Sequence, residues 1–354
     1  MRIINFLRNW TLPVAIAVGS AVYLTFYCVP QLDALGNALK PVVDVLFPLS
    51  VFMTLFITFC KVDYHQMRPH RWHVGVLMAQ LLLVALIVAI ILWMKESTAN
   101  ASLFAGANAP FLILLLEAML TCIIGPAASA SPVVVGKLGG NISTMTTYVI
   151  ISALASAVMI PLVFPLLEQT VHVEFLSACL IILQKVSTVL LLPLVLGWLV
   201  QHHMAALQRR IAAMPNLGFY CWAVSLSITT GITVKNIVHS EVTPALLLSI
   251  AAATLMLCGI QFVTGRAIGR LLDGKHPTGN GPTPMEVNAG QALFQKNTAL
   301  SIWVAYMYLS PVASIGAGCY VLWQNIINSI ELWQYQRRCS ATANEETDTL
   351  NHQG

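Results

Sequence analysis

Gly125-Pro126-Ala127-Ala128-Ser129-Ala130-Ser131-Pro132 and Gln291-Ala292-Leu293-Phe294-Gln295-Lys296-Asn297-Thr298 are the two stretches that decide how this chain folds. Both interrupt apolar sequence. In the first, Pro126 and Pro132 lack a backbone donor and clash with the preceding turn, so a continuous helix would cost about 3 kcal/mol at each. In the second, an ammonium group stands among Gln, Asn and Thr side chains where the flanking residues are apolar. An ionisable side chain at membrane depth costs about 2.5 to 3.5 kcal/mol on insertion scales, so such a residue marks a pathway or pairs with something. Each stretch predicts a helix that breaks and resumes.

The sequence around these stretches explains why they lie at membrane depth. Of 354 residues, 57% are hydrophobic and 9% charged, against about 25% charged in an ordinary soluble domain. Ten long apolar segments follow one another: Trp10 to Val29, Pro41 to Cys60, Trp72 to Met94, Pro110 to Gly125, Ile142 to Leu167, Phe175 to Gln201, Leu217 to Val238, Thr243 to Leu272, Glu286 to Leu309 and Val312 to Trp333. Most can span about 30 Å of hydrocarbon at about 1.5 Å per residue. The fold class expected is an all-α polytopic membrane protein with ten transmembrane helices, the fourth and ninth broken.

Counted from an inside N-terminus, the cytoplasmic side collects Arg2, Arg8, Lys61, Arg68, Arg71, Lys137, Arg209, Arg210, Arg266, Arg270, Lys275, Arg337 and Arg338. The other side receives Lys40, Lys95 and Lys235. This asymmetry predicts both termini in the cytoplasm and an even number of spans. The first segment is read as a true span rather than a signal peptide, because no small-residue cleavage site follows it. The tail 339–354, with Glu345, Glu346 and Asp348, reads as disordered.

Several function classes drop out. The net charge of +4 is modest and its basic residues are scattered, which argues against nucleic acid. No H-E-x-x-H, no paired buried aspartates and no phosphate-binding glycine loop is present, so neither an intramembrane enzyme nor a nucleotide-driven pump is expected. His65, His70, His73, His202, His203 and His276 read as interfacial residues, and the cysteines as packing residues. No cofactor and no obligate protein partner is evident beyond the lipid bilayer.

The candidates for function are the polar residues at membrane depth. Lys296 stands first, since a helix break exposes carbonyls near it. Asp44, Glu117 and Lys185 are weaker, each divided between an interhelical bond and a functional role. Gln80 in the third segment and Gln261 in the eighth are expensive in lipid unless paired. They also point to a repeat. Halves 1–170 and 171–338 each have five spans, a Gln in the third and a break in the fourth. Five is odd, so the halves have opposite topology, the layout of an inverted-repeat transporter with binding groups at the two breaks.

At these positions the chain resembles the bile acid:sodium symporter family. Pro126-Ala-Ala-Ser-Ala-Ser131 with Gly140-Asn141 is similar to the family's Pro-Gly-Gly-Thr-Ala-Ser with Gly-Asn downstream. Ile182-Leu-Gln184 with Val189-Leu-Leu-Leu-Pro193-Leu-Val-Leu-Gly197 resembles its sixth span, and Pro161 with Pro165 its fifth. Gln295-Lys296-Asn297 stands where the family has Gln-Asn-Ser, and Trp323-Gln-Asn325-Ile where it has Trp-His-Asn-Ile.

The resemblance implies a panel of spans 1, 2, 6 and 7 beside a core of spans 3 to 5 and 8 to 10, with the broken helices crossing in the core. It implies sodium-coupled uptake of organic anions by alternating access. By position, one sodium site maps onto Gln80, Gln291, Gln295 and the carbonyls of Ala292 and Phe294. The other keeps Ser131, but Pro132 replaces an Asn, and Met145 and Val149 replace hydroxyls. The glutamate shared by both sites becomes Gln291. Ser129, Lys296 and Asn325 would line the substrate side.

The function expected from sequence is therefore a secondary active transporter of a small organic anion in a bacterial inner membrane. Its sodium sites are degenerate, and coupling passes to a proton or to Lys296, whose ammonium would hold the two broken helices together as a sodium ion would. A cation/proton exchanger on the same scaffold and a transport-inactive membrane receptor are the competing readings.

Overall fold

Residues 11–61, 67–99, 109–167, 175–214, 217–239, 242–273 and 281–351 are described by a computed structural model, and every regular element among them is helical. In chain order these are α1 (Thr11–Cys28), α2 (Asp33–Lys61), α3 (Arg71–Ala99), α4 (Ala109–Ile124), α5 (Ser131–Lys137), α6 (Ile142–Leu167) and α7 (Phe175–His203). They continue with α8 (Ala205–Ala212), α9 (Leu217–His239), α10 (Pro244–Asp273), α11 (Pro284–Phe294), α12 (Thr298–Tyr308) and α13 (Pro311–Asn351). The long helices fall on the apolar segments read above. Five of the described helices are long and apolar enough to cross a membrane.

The surface of α3 shows what solvent this chain is built for. Its exposed stripe is Val74, Met78, Leu82 and Leu86, with Leu82 65% exposed, while its polar Gln80 is buried among Val76, Val84 and Ile87. A water-soluble helix would put these the other way round. Apolar side chains outside and polar ones inside suit hydrocarbon, where each uncompensated polar group costs several kcal/mol.

Helix ends follow local chemistry. Thr283-Pro284-Met285-Glu286 starts α11: the Thr283 hydroxyl accepts from the Glu286 amide at 3.2 Å, and Pro284 occupies a position whose N–H would be orphaned. Asn297 caps α12, its side chain accepting from the Leu300 amide at 3.2 Å. Gly125-Pro126 stops α4, and the chain stays non-helical to Ala130. Helix resumes at Ser131, one residue before the expected end of the break, because Pro132 falls in its first turn, where proline is tolerated.

Packing brings the two broken helices to the centre. α1 lies on α9, and α2 on α7 and α9; α10 lies on α11, and α4, α10 and α12 lie on α13. Gly265 and Gly269 make the α10–α11 approach possible. A Cβ on Gly265 would come within 2.5 Å of the Ala289 carbonyl oxygen, and one on Gly269 within 2.7 Å of the Met285 carbonyl oxygen. Glycines four apart let backbones touch, the usual device where no hydrophobic force separates protein from lipid.

The tail departs from expectation. α13 runs to Asn351, so 339–351 is helical where the composition reads as disordered. No proline follows Pro311 and no glycine lies between Gly318 and Gly354. An established helix extends without a new nucleation cost, and Ala341, Ala343, Glu345 and Glu346 favour it.

Candidate functional site at the helix crossing

The two breaks meet as a fragment of antiparallel ribbon. Ala127 and Lys296 form an isolated bridge, with the Ala128 amide donating to Gln295 O at 2.8 Å and the Asn297 amide to Pro126 O at 2.9 Å. Buried backbone polar groups that left their helices are thus paired with each other.

Neighbouring helices satisfy the rest, and do so in a parallel way on both sides. At the first break, Gln80 Nε2 donates to the carbonyls of Ile123 and Gly125 at 2.9 and 3.1 Å. Two α6 serines help: Ser156 Oγ donates to Ile124 O at 3.0 Å, and Ser152 Oγ accepts from the Ala127 amide at 3.1 Å. At the second break, Gln261 Nε2 donates to the Tyr320 hydroxyl at 2.9 Å, which donates to Phe294 O at 2.7 Å. Gln324 accepts from the Lys296 amide at 3.0 Å, and Gln291 Nε2 donates to Asn328 Oδ1 and Glu331 Oε2, both at 2.9 Å. The amide nitrogens of both glutamines are therefore paired, that of Gln80 directly to a half-helix end and that of Gln261 through Tyr320.

The stripe Tyr320, Gln324, Asn328 and Glu331 on α13 was not singled out from sequence. Its signal is the spacing of four, four and three residues along one helix face. Glu331 also pairs with Arg266 of α10, so a carboxylate does reach Gln291, from a different helix than the one on which Gln291 sits. Glu117 is paired too, with Lys95 at 3.0 Å. Asp44 is exposed on α2, and the side chain of Lys185 lies outside the described residues. His73, near the start of α3, is buried against protein, its Nε2 3.1 Å from Thr144 O.

Beside the crossing lies a small cleft, open at its mouth, with about 20 Å³ of free internal volume. Val51 and Thr54 of α2, Trp222, Ser225, Leu226 and Thr229 of α9, and Val321 of α13 form one side; Ala128, Ser129, Lys296, Asn297, Thr298 and Ala299 form the other. Ser129 and Lys296 come together as expected by position. Asn325 does not join them: it is absent from the wall, and its Nδ2 donates to Val321 O of its own helix at 2.7 Å.

Lys296 is fully buried, and its Nζ has no hydrogen-bond partner. Its Nζ makes no bond to the other break; backbone bonds join the two breaks, and Gln324 ties the second one to α13. Around the crossing, Gln80 Oε1, Ser131 Oγ, Gln291 Oε1 and both polar atoms of the Gln295 side chain are also buried without partners. Gln80 and Gln291 each spend their NH₂ on protein acceptors and leave the oxygen unused. Oxygen acceptors without donors suit a hard cation. At the other predicted ion site, Met145 and Val149 are fully buried and bring no side-chain oxygen.

Comparison with known protein families and with curated proteins finds no match for this chain.

Proposed function

We propose that the protein is a secondary active transporter of a small organic anion, which binds in the cavity beside the crossing of α4–α5 and α11–α12. The observation that carries this reading is Lys296, a residue that lines the cleft and whose ammonium is buried without a partner. A buried charge is tolerated when it is paired, and a ligand carboxylate or sulfate supplies the missing pair. Ser129, Ser225, Thr229 and Thr298 offer hydroxyl donors around it, while Val51, Leu226, Val321 and Trp222 offer apolar surface. Such a mixture suits an amphipathic anion.

The scaffold we infer is ten membrane-spanning helices in two inverted five-helix repeats, in the inner membrane with both termini cytoplasmic. Its support is the basic-residue asymmetry together with the similar treatment of the two breaks: Gln80 bonds one half-helix end directly, Gln261 reaches the other through Tyr320, and each bridging amide has a side-chain acceptor, Ser152 for Ala127 and Gln324 for Lys296. Resemblance to the bile acid:sodium symporters agrees with this layout. The coupling ion is sodium or a proton. Unpartnered oxygens of Gln80, Gln291 and Gln295 are the ones we assign to a sodium ion, with the carbonyls of Ala292 and Phe294 as further ligands; the Phe294 carbonyl already accepts one bond.

An uptake screen of labelled organic anions in cells producing the protein tests this. A carboxylate or sulfonate taken up against its gradient, and not by cells lacking the protein, supports the reading. Binding in detergent with no uptake of any bound compound would make the protein a receptor instead.

A further inference from the structure

Lys296 and Ala127 form the pair of an antiparallel ribbon whose bonds run between their neighbours, residues 126 to 297 and 128 to 295. In such a pair the N–H and C=O of the two facing residues point away from each other, to the outer edges of the ribbon. The outer edge of Lys296 meets α13. There the Gln324 carboxamide takes both groups: Oε1 accepts from the Lys296 amide at 3.0 Å and Nε2 donates to the Lys296 carbonyl at 3.4 Å. Gln324, 2% exposed, acts as a third strand one residue long. The N–H and C=O of Lys296 are both held at that outer edge, and the residue lines the cavity beside it.

We propose that Gln324 is a positioning residue that sets the anion affinity of the cavity through the Lys296 backbone, without touching the anion itself. Gln324 is not on the cavity wall, and Lys296 is the one charged side chain among the described residues that are. Without the carboxamide, the Lys296 amide loses its acceptor in a buried place and the ribbon turns to recover one. Lys296 then shifts relative to Ser129 and Thr298, with which it lines the cavity. This inference rests on the reading of Lys296 as the counter-charge for an anion.

Iodide provides the test, because it is a monovalent anion that quenches indole emission on contact, and Trp222 shares the cavity with Lys296. The signal is the quenching of the full-length protein in detergent that is lost in Trp222→Phe. It saturates in the unaltered protein and vanishes in Lys296→Gln. Gln324→Met, which keeps side-chain length but cannot make either bond, raises the half-saturating iodide concentration about tenfold, the consequence of one misplaced charged contact. Maximal quenching is unchanged, whereas a merely structural loss lowers the maximum. Gln324→Asn keeps a carboxamide but withdraws it by one methylene, and its half-saturation lies between the two; it decides the matter alone if the Met variant does not fold. Half-saturation at the unaltered value in these variants overturns the proposal and leaves the anion site standing. Quenching that does not saturate, or that survives Lys296→Gln, overturns the anion site and this proposal with it.

Discussion

Ala127 and Lys296 face each other across an antiparallel bridge, each with its own amide accepted by a side chain from a different helix, Ser152 on α6 and Gln324 on α13. Two segments far apart in sequence thereby solve one problem in the same way. A helix that breaks at membrane depth must pair every backbone group it frees. Among the buried side-chain atoms left without partners are the Lys296 ammonium and the amide oxygens of Gln80, Gln291 and Gln295. These are the groups on which a transported anion and its coupling ion would act.

Replacing Lys296 by Met should stabilise the fold while abolishing function. The ammonium is buried without a partner, so its removal relieves an uncompensated desolvation cost, and Met has nearly the same shape. A gain of about 1 kcal/mol or more in the detergent melting transition is expected. A large loss of stability would show that Nζ has a structural partner.

Gln80→Leu should lower stability by about 1 to 3 kcal/mol, since the Ile123 and Gly125 carbonyls lose their donor in a buried place. It should also remove any sodium-dependent rise in melting temperature, because Gln80 Oε1 is one of the oxygens assigned to that ion. Differential scanning of the variant with and without sodium chloride, against choline chloride at equal ionic strength, reads both effects.

The Arg266–Glu331 pair yields a cycle. Glu331→Gln leaves the Arg266 guanidinium without its charge partner and weakens the acceptor of Gln291 Nε2. Breaking a buried pair costs about 3 to 5 kcal/mol, and the partial exposure of Arg266, 27% at its side chain, reduces this to about 2. Combining Glu331→Gln with Arg266→Gln should recover part of the loss. Additive losses would mean that the two side chains act independently.

Gly265→Val should prevent accumulation of folded protein, because any Cβ there meets the Ala289 carbonyl oxygen at 2.5 Å, an atom of backbone that cannot swing aside. Gly259→Val, on the same helix with nothing within 4 Å of a Cβ, should fold normally. Fluorescence size-exclusion of the two variants separates them.

Topology is open to direct labelling. Cys339 is exposed beyond the apolar part of α13, and Glu96 is exposed near the opposite end of α3. An impermeant thiol reagent applied to whole cells should reach a cysteine introduced at Glu96 and not Cys339. Equal labelling of both would remove the proposed orientation.

Both breaks were legible in the sequence for physical reasons. Gly125-Pro126 and the run Gln295 to Thr298 violate the local rules of an apolar helix, and such violations are visible without a partner. The residues that stabilise the breaks were not. Ser152, Ser156, Tyr320 and Gln324 bond to backbone, which has no sequence signature, and each alone looks like an ordinary small or polar residue within an apolar segment. Glu331 escaped because it lies near the end of the tenth apolar segment, where a carboxylate reads as interfacial. The tail failed for another reason: its composition is that of a chain without a core, but it continues a helix already formed.

The central claim is that the unpaired ammonium of Lys296 is the counter-charge for a transported organic anion. Counterflow in proteoliposomes tests it most directly: liposomes loaded with an unlabelled anion from the uptake screen are diluted into a trace of the same labelled anion. Label should accumulate transiently with the unaltered protein and not with Lys296→Gln, the variant remaining folded. Undiminished counterflow with Lys296→Gln would contradict that claim.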